Sequence, residues 1–165
     1  MRLLLVMLGL CLCLNSAWTQ ACKDVRSFDF TNTTIHTAPG DDGSRQGSES
    51  FRLRDGIGFL SDDPHSLDAH DWRVELLVNR TVHPDPLTWV RVIVLKSDHL
   101  TGTGTWNHIM AFGCREGSLV RLFQYSSEGV SLKHLDAKTL ELYKAIWKPT
   151  DAHCCPSRHV DLLFG

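Results

Sequence analysis

After Leu14 the chain has no apolar run long enough to cross a bilayer, and it has no block of like charge. Its 17 Lys+Arg and 19 Asp+Glu are interspersed and leave a formal net charge of −2 at pH 7. Neither a later membrane segment nor an electrostatic footprint for nucleic acid or an anionic membrane is expected from such a pattern. Gly-x-Ser-x-Gly, His-Glu-x-x-His and Cys-x-x-Cys are all missing. Those absences remove the nucleophile elbow, the zincin helix and the dithiol redox motif. A triad assembled in space is not set by spacing, so the many Ser, His and Asp residues leave that chemistry open. No internal repeat and no linker divides the chain.

What is present begins with Met1-Arg2 and an uncharged apolar run from Leu3 to Leu14. As a helix this run spans about 18 Å, against a bilayer core of ~30 Å. It reads as a signal peptide rather than an anchor. Thr19-Gln20-Ala21 places small residues where a signal peptidase reads, so cleavage is expected after Ala21, with Ala17 as the alternative. The mature domain is then residues 22–165, a size suited to one domain. Cys22 would become its first residue, the position at which a bacterial lipoprotein carries its lipid. A lipid anchor there is the alternative to a freely secreted or periplasmic protein.

Four cysteines remain after removal of Cys11 and Cys13: Cys22, Cys114, Cys154 and Cys155. An even number in an oxidising compartment implies disulfides. A bond between the adjacent Cys154 and Cys155 would close a small strained ring. The expected arrangement therefore joins Cys114 to one of that pair and Cys22 to the other. The same segment, with His153 and His159, has the residue types of a zinc site. Structural zinc sites, however, space their cysteines by about two to four residues.

The dominant hydrophobic period is two. Trp72, Val74, Leu76 and Val78 are expected on one strand face. Thr88 to Lys96 has Val90, Val92 and Val94 on one side and Trp89, Ile93 and Leu95 on the other, the mark of a strand covered on both faces. His83-Pro84-Asp85-Pro86 reads as the turn between these two strands. Trp106–Phe112, Leu119–Tyr125 and His159–Phe164 are further strand-like runs, and Val25–Phe30 and Phe51–Phe59 are weaker ones. Residues 39–50 and 61–71 read as polar loops. Segment 136–147 fits a strand through Leu140, Leu142 and Ile146, or a helix through Leu140, Tyr143, Lys144 and Trp147. The fold expected is an all-β sandwich or barrel of seven to nine strands, with α+β and one helix near 136–147 as the alternative.

Candidate sites are few. Asp63, His65, Asp68, His70 and Asp71 could hold a divalent metal or serve a small secreted hydrolase, and a solvated loop is the plainer reading of them. Asp98-His99-Leu100-Thr101-Gly102-Thr103-Gly104 offers one carboxylate at the alternate positions a calcium loop needs and no phosphate cradle, so a hairpin turn is expected. Asn32-Thr33-Thr34 and Asn79-Arg80-Thr81 are glycosylation sequons, relevant only in a eukaryotic secretory route. Nine histidines are read as scattered surface residues that add positive charge below about pH 6.

Three landmarks carry a family resemblance: Phe30-Thr31-Asn32-Thr33-Thr34, the turn Asp98 to Gly104, and Cys154-Cys155-Pro156-Ser157. With these the chain resembles a group of uncharacterised bacterial exported proteins, some of them lipoproteins, that share a Phe-x-Asn-x-Thr-like segment, a Gly-Asp-Leu-Thr-Gly-Asp-Gly-like turn and a late Cys-Cys-Pro-Ser. His99 and Thr103 stand at the two acidic positions of that turn, which puts a calcium role in doubt. The resemblance implies export and a β fold. No cofactor is expected. The functional expectation is a non-enzymatic binding or envelope-associated module for an extracellular protein, a glycan or an envelope component. Its contact surface would be a flat patch with exposed aromatics among Trp72, Trp89 and Trp106. The alternative is a small metal-dependent hydrolase built on loop 62–71.

Overall fold

The computed structural model describes residues 20–37, 50–60, 71–101, 105–152 and 155–164. Ten strands run through them: β1 (Thr34–His36), β2 (Ser50–Arg52), β3 (Ile57–Leu60), β4 (Trp72–Asp85), β5 (Thr88–His99), β6 (Thr105–Arg115), β7 (Ser118–Glu128), β8 (Val130–Leu135), β9 (Leu140–Ile146) and β10 (Arg158–Phe164). The fold is all-β. The two three-residue strands β1 and β2 take the number beyond the seven to nine expected. No helix among the described residues is long and apolar enough to cross a membrane.

An antiparallel five-stranded sheet, in the order β3-β4-β5-β6-β7, forms the middle of the molecule and curls as a half-barrel. The β1–β2 ladder and the β10-β9-β8 sheet are separate from it. The strand alternation explains why both faces of the middle sheet are covered. Val74, Ile93, Leu95, Met110 and Phe112 point into one core, shared with Cys22, Val25, Phe30, Ile35, Phe51 and Leu53 of the N-terminal segment. Val92, Val94, Ile109 and Ala111 point into a second core, shared with Val130 and Leu142 of the C-terminal sheet. The four consecutive residues Val92–Leu95 are thus all buried, two in each core. Each such side chain contributes roughly 1.5–3 kcal/mol relative to exposure.

β4 departs from the expected simple alternation. Leu76 pairs with Leu95 and Val78 with Val94, leaving Leu77 as a bulge. An extra residue flips every later side chain to the other face. Leu76 accordingly packs on the first core and Val78 and Val82 on the second. The expected turn at His83–Pro86 lies later in the chain than the sequence suggested. β4 continues through an irregularity between Val82 and Asp85, and the turn proper is Pro86-Leu87, between paired Asp85 and Thr88. Pro84 is accommodated at that irregularity, where no ladder donor is required.

Val25–Phe30 is turn and irregular chain rather than a strand, although Val25 and Phe30 are buried. Phe51–Phe59 is broken by Asp55-Gly56, whose φ values of 52° and 81° give the paired-positive turn that suits a tight hairpin. Glu116-Gly117, at 51° and 77°, makes the equivalent turn between β6 and β7. Segment 140–146 is a strand, paired on both sides with β8 and β10. Ile146, expected on the buried face, is exposed at its end.

A disulfide joins Cys22 to Cys114, with Cα atoms 5.5 Å apart. This corrects the expected pairing of Cys114 with the vicinal cysteines. The strand ladder supplies the reason. Ala21 bridges Ser118 and the Cys22 N–H donates to Gly117 O at 2.8 Å. The start of the described chain is thereby laid along the β6–β7 hairpin, where Leu119 pairs with Cys114. Cys155 is also disulfide-bonded, and Cys154 lies outside the described residues.

Candidate functional site

The aromatic patch expected from three tryptophans reduces to one. Trp72 and Trp106 are each 7 % exposed, because both stand on strand faces that the first core's layer covers. Trp72 packs edge-on against His99 at 4.8 Å. Trp89 is 37 % exposed, near the end of the β4–β5 hairpin.

Trp89 is held in place from several sides. The His83 ring stacks on it at 4.1 Å with planes 5° apart. The Arg26 guanidinium lies 4.6 Å from the ring centroid. Arg26 is itself forked onto Asp24, its Nε donating to both carboxylate oxygens at 3.0 and 2.9 Å and its Nη2 to Oδ2. That hydrogen bonding holds the Asp24 carboxyl below its ordinary value and raises Arg26. Arg91 Nη2 donates to the Arg26 carbonyl, tying this segment to β5. The turn beyond is fixed by Asp85, which accepts from the Thr88 hydroxyl and the Leu87 N–H, and its carboxyl is lowered for that reason. At the tip Leu87 is 92 % exposed. The result is a stacked aromatic near an exposed aliphatic side chain, flanked by cation and carboxylate.

Asp63, His65, Asp68 and His70 lie outside the described residues, and so do Gly102, Thr103, Gly104, His153 and Cys154. Asp71 precedes β4, and its carbonyl accepts from Leu100 N at 2.8 Å. No group of three or more metal-ligating side chains occurs among the described residues. Asp98 is occupied structurally, pairing with Lys96 at 2.8 Å and accepting from Thr105 Oγ1 at 2.8 Å. His159 stacks on Tyr143 at 4.8 Å. Cys155, being in a disulfide, has no thiolate for a metal. The loop before it is organised by Asp151, which accepts from Lys148 N at 2.8 Å and Ser157 N at 2.9 Å.

Of the sequons, Asn79 is exposed on β4. Asn32 sits in a knot: its Oδ1 accepts from Asp55 N at 2.9 Å and its Nδ2 donates to Asp29 Oδ2 at 3.0 Å. The reading of all histidines as surface groups fails at His108, which is 3 % exposed. Its ring nitrogens sit 3.1 Å from Ser97 Oγ and 3.1 Å from Ser126 Oγ. Ser97 is fully buried too, so this polar group is a satisfied core network without access for a substrate. In the sequence, His108 differs from other histidines only by its place on the core parity of β6. No family model, curated protein or solved structure matches the chain.

Proposed function

We propose that the chain is an exported, disulfide-bonded β domain that works by binding an extracellular protein, a glycan or an envelope component, with the end of the β4–β5 hairpin as its contact surface. The observation that carries this reading is Trp89, partly exposed and stacked between His83 and the Arg26 guanidinium. A preordered aromatic loses little side-chain entropy on binding, and such residues dominate contact surfaces. The neighbouring Leu87 adds an apolar anchor.

Export rests on the leader-like N-terminus, on the disulfide and on the resemblance carried by Cys-Cys-Pro-Ser. The packing of Gln20 and Ala21 bears on where the leader ends. Gln20 donates from Nε2 to Thr34 O at 2.6 Å, accepts from Thr33 Oγ1 at 2.8 Å, and its carbonyl takes Leu119 N at 2.8 Å. Cleavage after Ala21 would discard these bonds, whereas cleavage after Ala17 keeps them. The sulfur of Cys22 is engaged with Cys114, and a lipid thioether would need the same atom. Both points support a freely exported chain over a lipid-tethered one.

Intact mass spectrometry of the protein exported by its native host tests the first half. A chain beginning at Trp18, with four thiols appearing only on reduction, supports the reading. A chain beginning at a lipid-modified Cys22 overturns it. Cosedimentation with the envelope fraction and insoluble polysaccharides of that host tests the second half. Trp89→Ala and Leu87→Ser should weaken retention about tenfold or more. Equal retention removes this surface from the function, and hydrolysis of the polysaccharide by the purified domain would replace binding with catalysis.

A further inference from the structure

The small β1–β2 ladder has two unlike faces. Ile35, Phe51 and Leu53 point into the first core. The opposite parity places Thr34 across from Arg52, with Arg54 two residues further along the same side. Over this side lies a cleft of about 480 Å³ lined by Asn32, Thr33, Thr34, Arg52, Leu53 and Arg54. We infer that this cleft binds a small polyhydroxylated oxyanion, a sugar acid or a sugar phosphate.

The two guanidinium groups carry the inference. Arg52 and Arg54 are exposed, and neither makes an ion pair or side-chain hydrogen bond among the described residues. Elsewhere on the surface Arg26, Arg73, Lys96 and Lys133 are each paired with a carboxylate. Arg121 adds a third positive charge beside the same ladder, donating to His36 O at 2.7 Å and Gln124 Oε1 at 2.7 Å. Two acidic residues among those described are bonded to the lining: Asp29, whose oxygens accept from Thr31 and Asn32, and Asp55, whose N–H donates to Asn32 Oδ1. An anion brought into the cleft meets two guanidinium forks that are in no ion pair among the described residues and that match a carboxylate or phosphate.

The rest of the lining selects the body of the ligand. Asn32 and Thr33 line the cleft and are held by Asp55 N and Gln20 Oε1, so this part of the lining is polar and set in position. Leu53 turns its side chain into the core, and the other described lining residues are polar or charged, which disfavours a nucleobase or an acyl chain. The volume suits a ligand of one or two sugar rings.

The test uses the disulfide-intact protein at low ionic strength, since exposed charge pairs are screened by salt. Glucuronate, glucose 6-phosphate, inorganic phosphate and glucose are titrated in turn by amide chemical-shift perturbation. Shifts at residues 32–34 and 52–54 with one or both acidic sugars support the inference, and the stronger of the two names the source. Glucose and inorganic phosphate should each bind about tenfold more weakly. Arg52→Gln and Arg54→Gln should each reduce affinity about tenfold, whereas Arg158→Gln, on β10, should not. Trp89→Ala should also leave it unchanged, which separates this site from the hairpin surface. Inorganic phosphate binding as well as glucose 6-phosphate overturns the sugar specificity. Unchanged affinity in both arginine variants, or no shifts at about 20 mM ligand, overturns the site.

Discussion

The two faces of the middle sheet are covered by different means. The first is covered by an irregular N-terminal segment and the three-residue ladder β1–β2, fastened by Cys22–Cys114. The second is covered by a regular three-stranded sheet that enters directly from β7 through Gly129. Irregular chain brings few ladder bonds of its own. It compensates with side-chain bonds to backbone, such as Asn32 to Asp55 and Gln20 to Thr34, and with a covalent tie. A sheet satisfies its own backbone and needs only apolar contact. The proposed binding features, Arg26 beneath Trp89 and the cleft over β1–β2, both belong to the irregular cover, where side chains are free to do more than pack.

If the covalent tie is what holds the first cover, removing it should have the largest effect. Cys22→Ala with Cys114→Ala opens a crosslink between residues 92 apart, worth about 4 kcal/mol in the chain-entropy account. Hydrogen exchange should show amides near Ile35, Phe51 and Leu53 losing protection while those of Leu142 and Ala145 keep theirs. Equal loss on both faces would mean that the two covers form one cooperative unit.

The second cover should fail by packing instead. Leu142 is fully buried between the C-terminal sheet and Val92, Val94, Ile109 and Ala111. Leu142→Ala should cost about 3 kcal/mol by denaturant unfolding, with β8–β10 opening first. A cost below about 1 kcal/mol would place the weight of this core elsewhere.

A smaller effect is expected at the hinge between the layers. Gly129 has φ of 63°, and a Cβ there would lie 2.3 Å from the Trp147 ring and 2.9 Å from Ala145 Cβ. Gly129→Ala should cost about 2 kcal/mol through left-handed strain and the displaced indole. Measured against Trp147→Ala alone, the double variant should recover only the indole's share and leave the left-handed strain and the Ala145 contact.

The same contrast decides what was legible in the sequence. The middle strands and the doubly covered β5 were readable because their side chains alternate between two cores. The helix alternative near 136–147 loses to a strand at Leu140–Ile146 because that strand pairs on both sides, a tertiary fact that no local period contains. The bulge at Leu77 was hidden for the opposite reason: Leu76, Leu77 and Val78 are all apolar, so a one-residue slip leaves no mark. Asp55-Gly56 was a readable turn passed over inside an apolar run, whereas Glu116-Gly117 is less obvious because glutamate rarely takes a positive φ. The cysteine pairing depended on Ala21 lying against Ser118, which spacing does not encode. Of the candidate site, Trp89 was named beside two tryptophans that prove buried. Arg52 and Arg54 are inconspicuous in the sequence because isolated arginines are usual on a strand's outer face. What sets them apart is that they line one cleft together.

Acid should sharpen the comparison least in size but most in order of events. Asp29 on the first cover has its carboxyl lowered from 3.8, chiefly by the Thr31 hydroxyl and then by Asn32. On the second, Asp136 is lowered chiefly by the Lys138 N–H, then by His134, and it orders the β8–β9 loop. A carboxyl lowered in the folded state stabilises fully above its unfolded value, and that contribution is lost as pH falls through the folded value. Stability from these groups is thus intact above about pH 5 and declines below 3.8, beneath the usual histidine range near 6.5. Protonating Asp136 frees one four-residue loop within a self-paired sheet. Protonating Asp29 releases Asn32, and with it the tie to Asp55 that fixes the β2–β3 turn. Hydrogen exchange at successive pH values below 3.8 should therefore show the first cover losing more protection than the second. Asp29→Asn should remove that difference, since the amide cannot accept from both the Thr31 and Asn32 side chains. Prior opening of β8–β10 in acid would show that the regular cover, and not the tied one, is the weaker half of the fold.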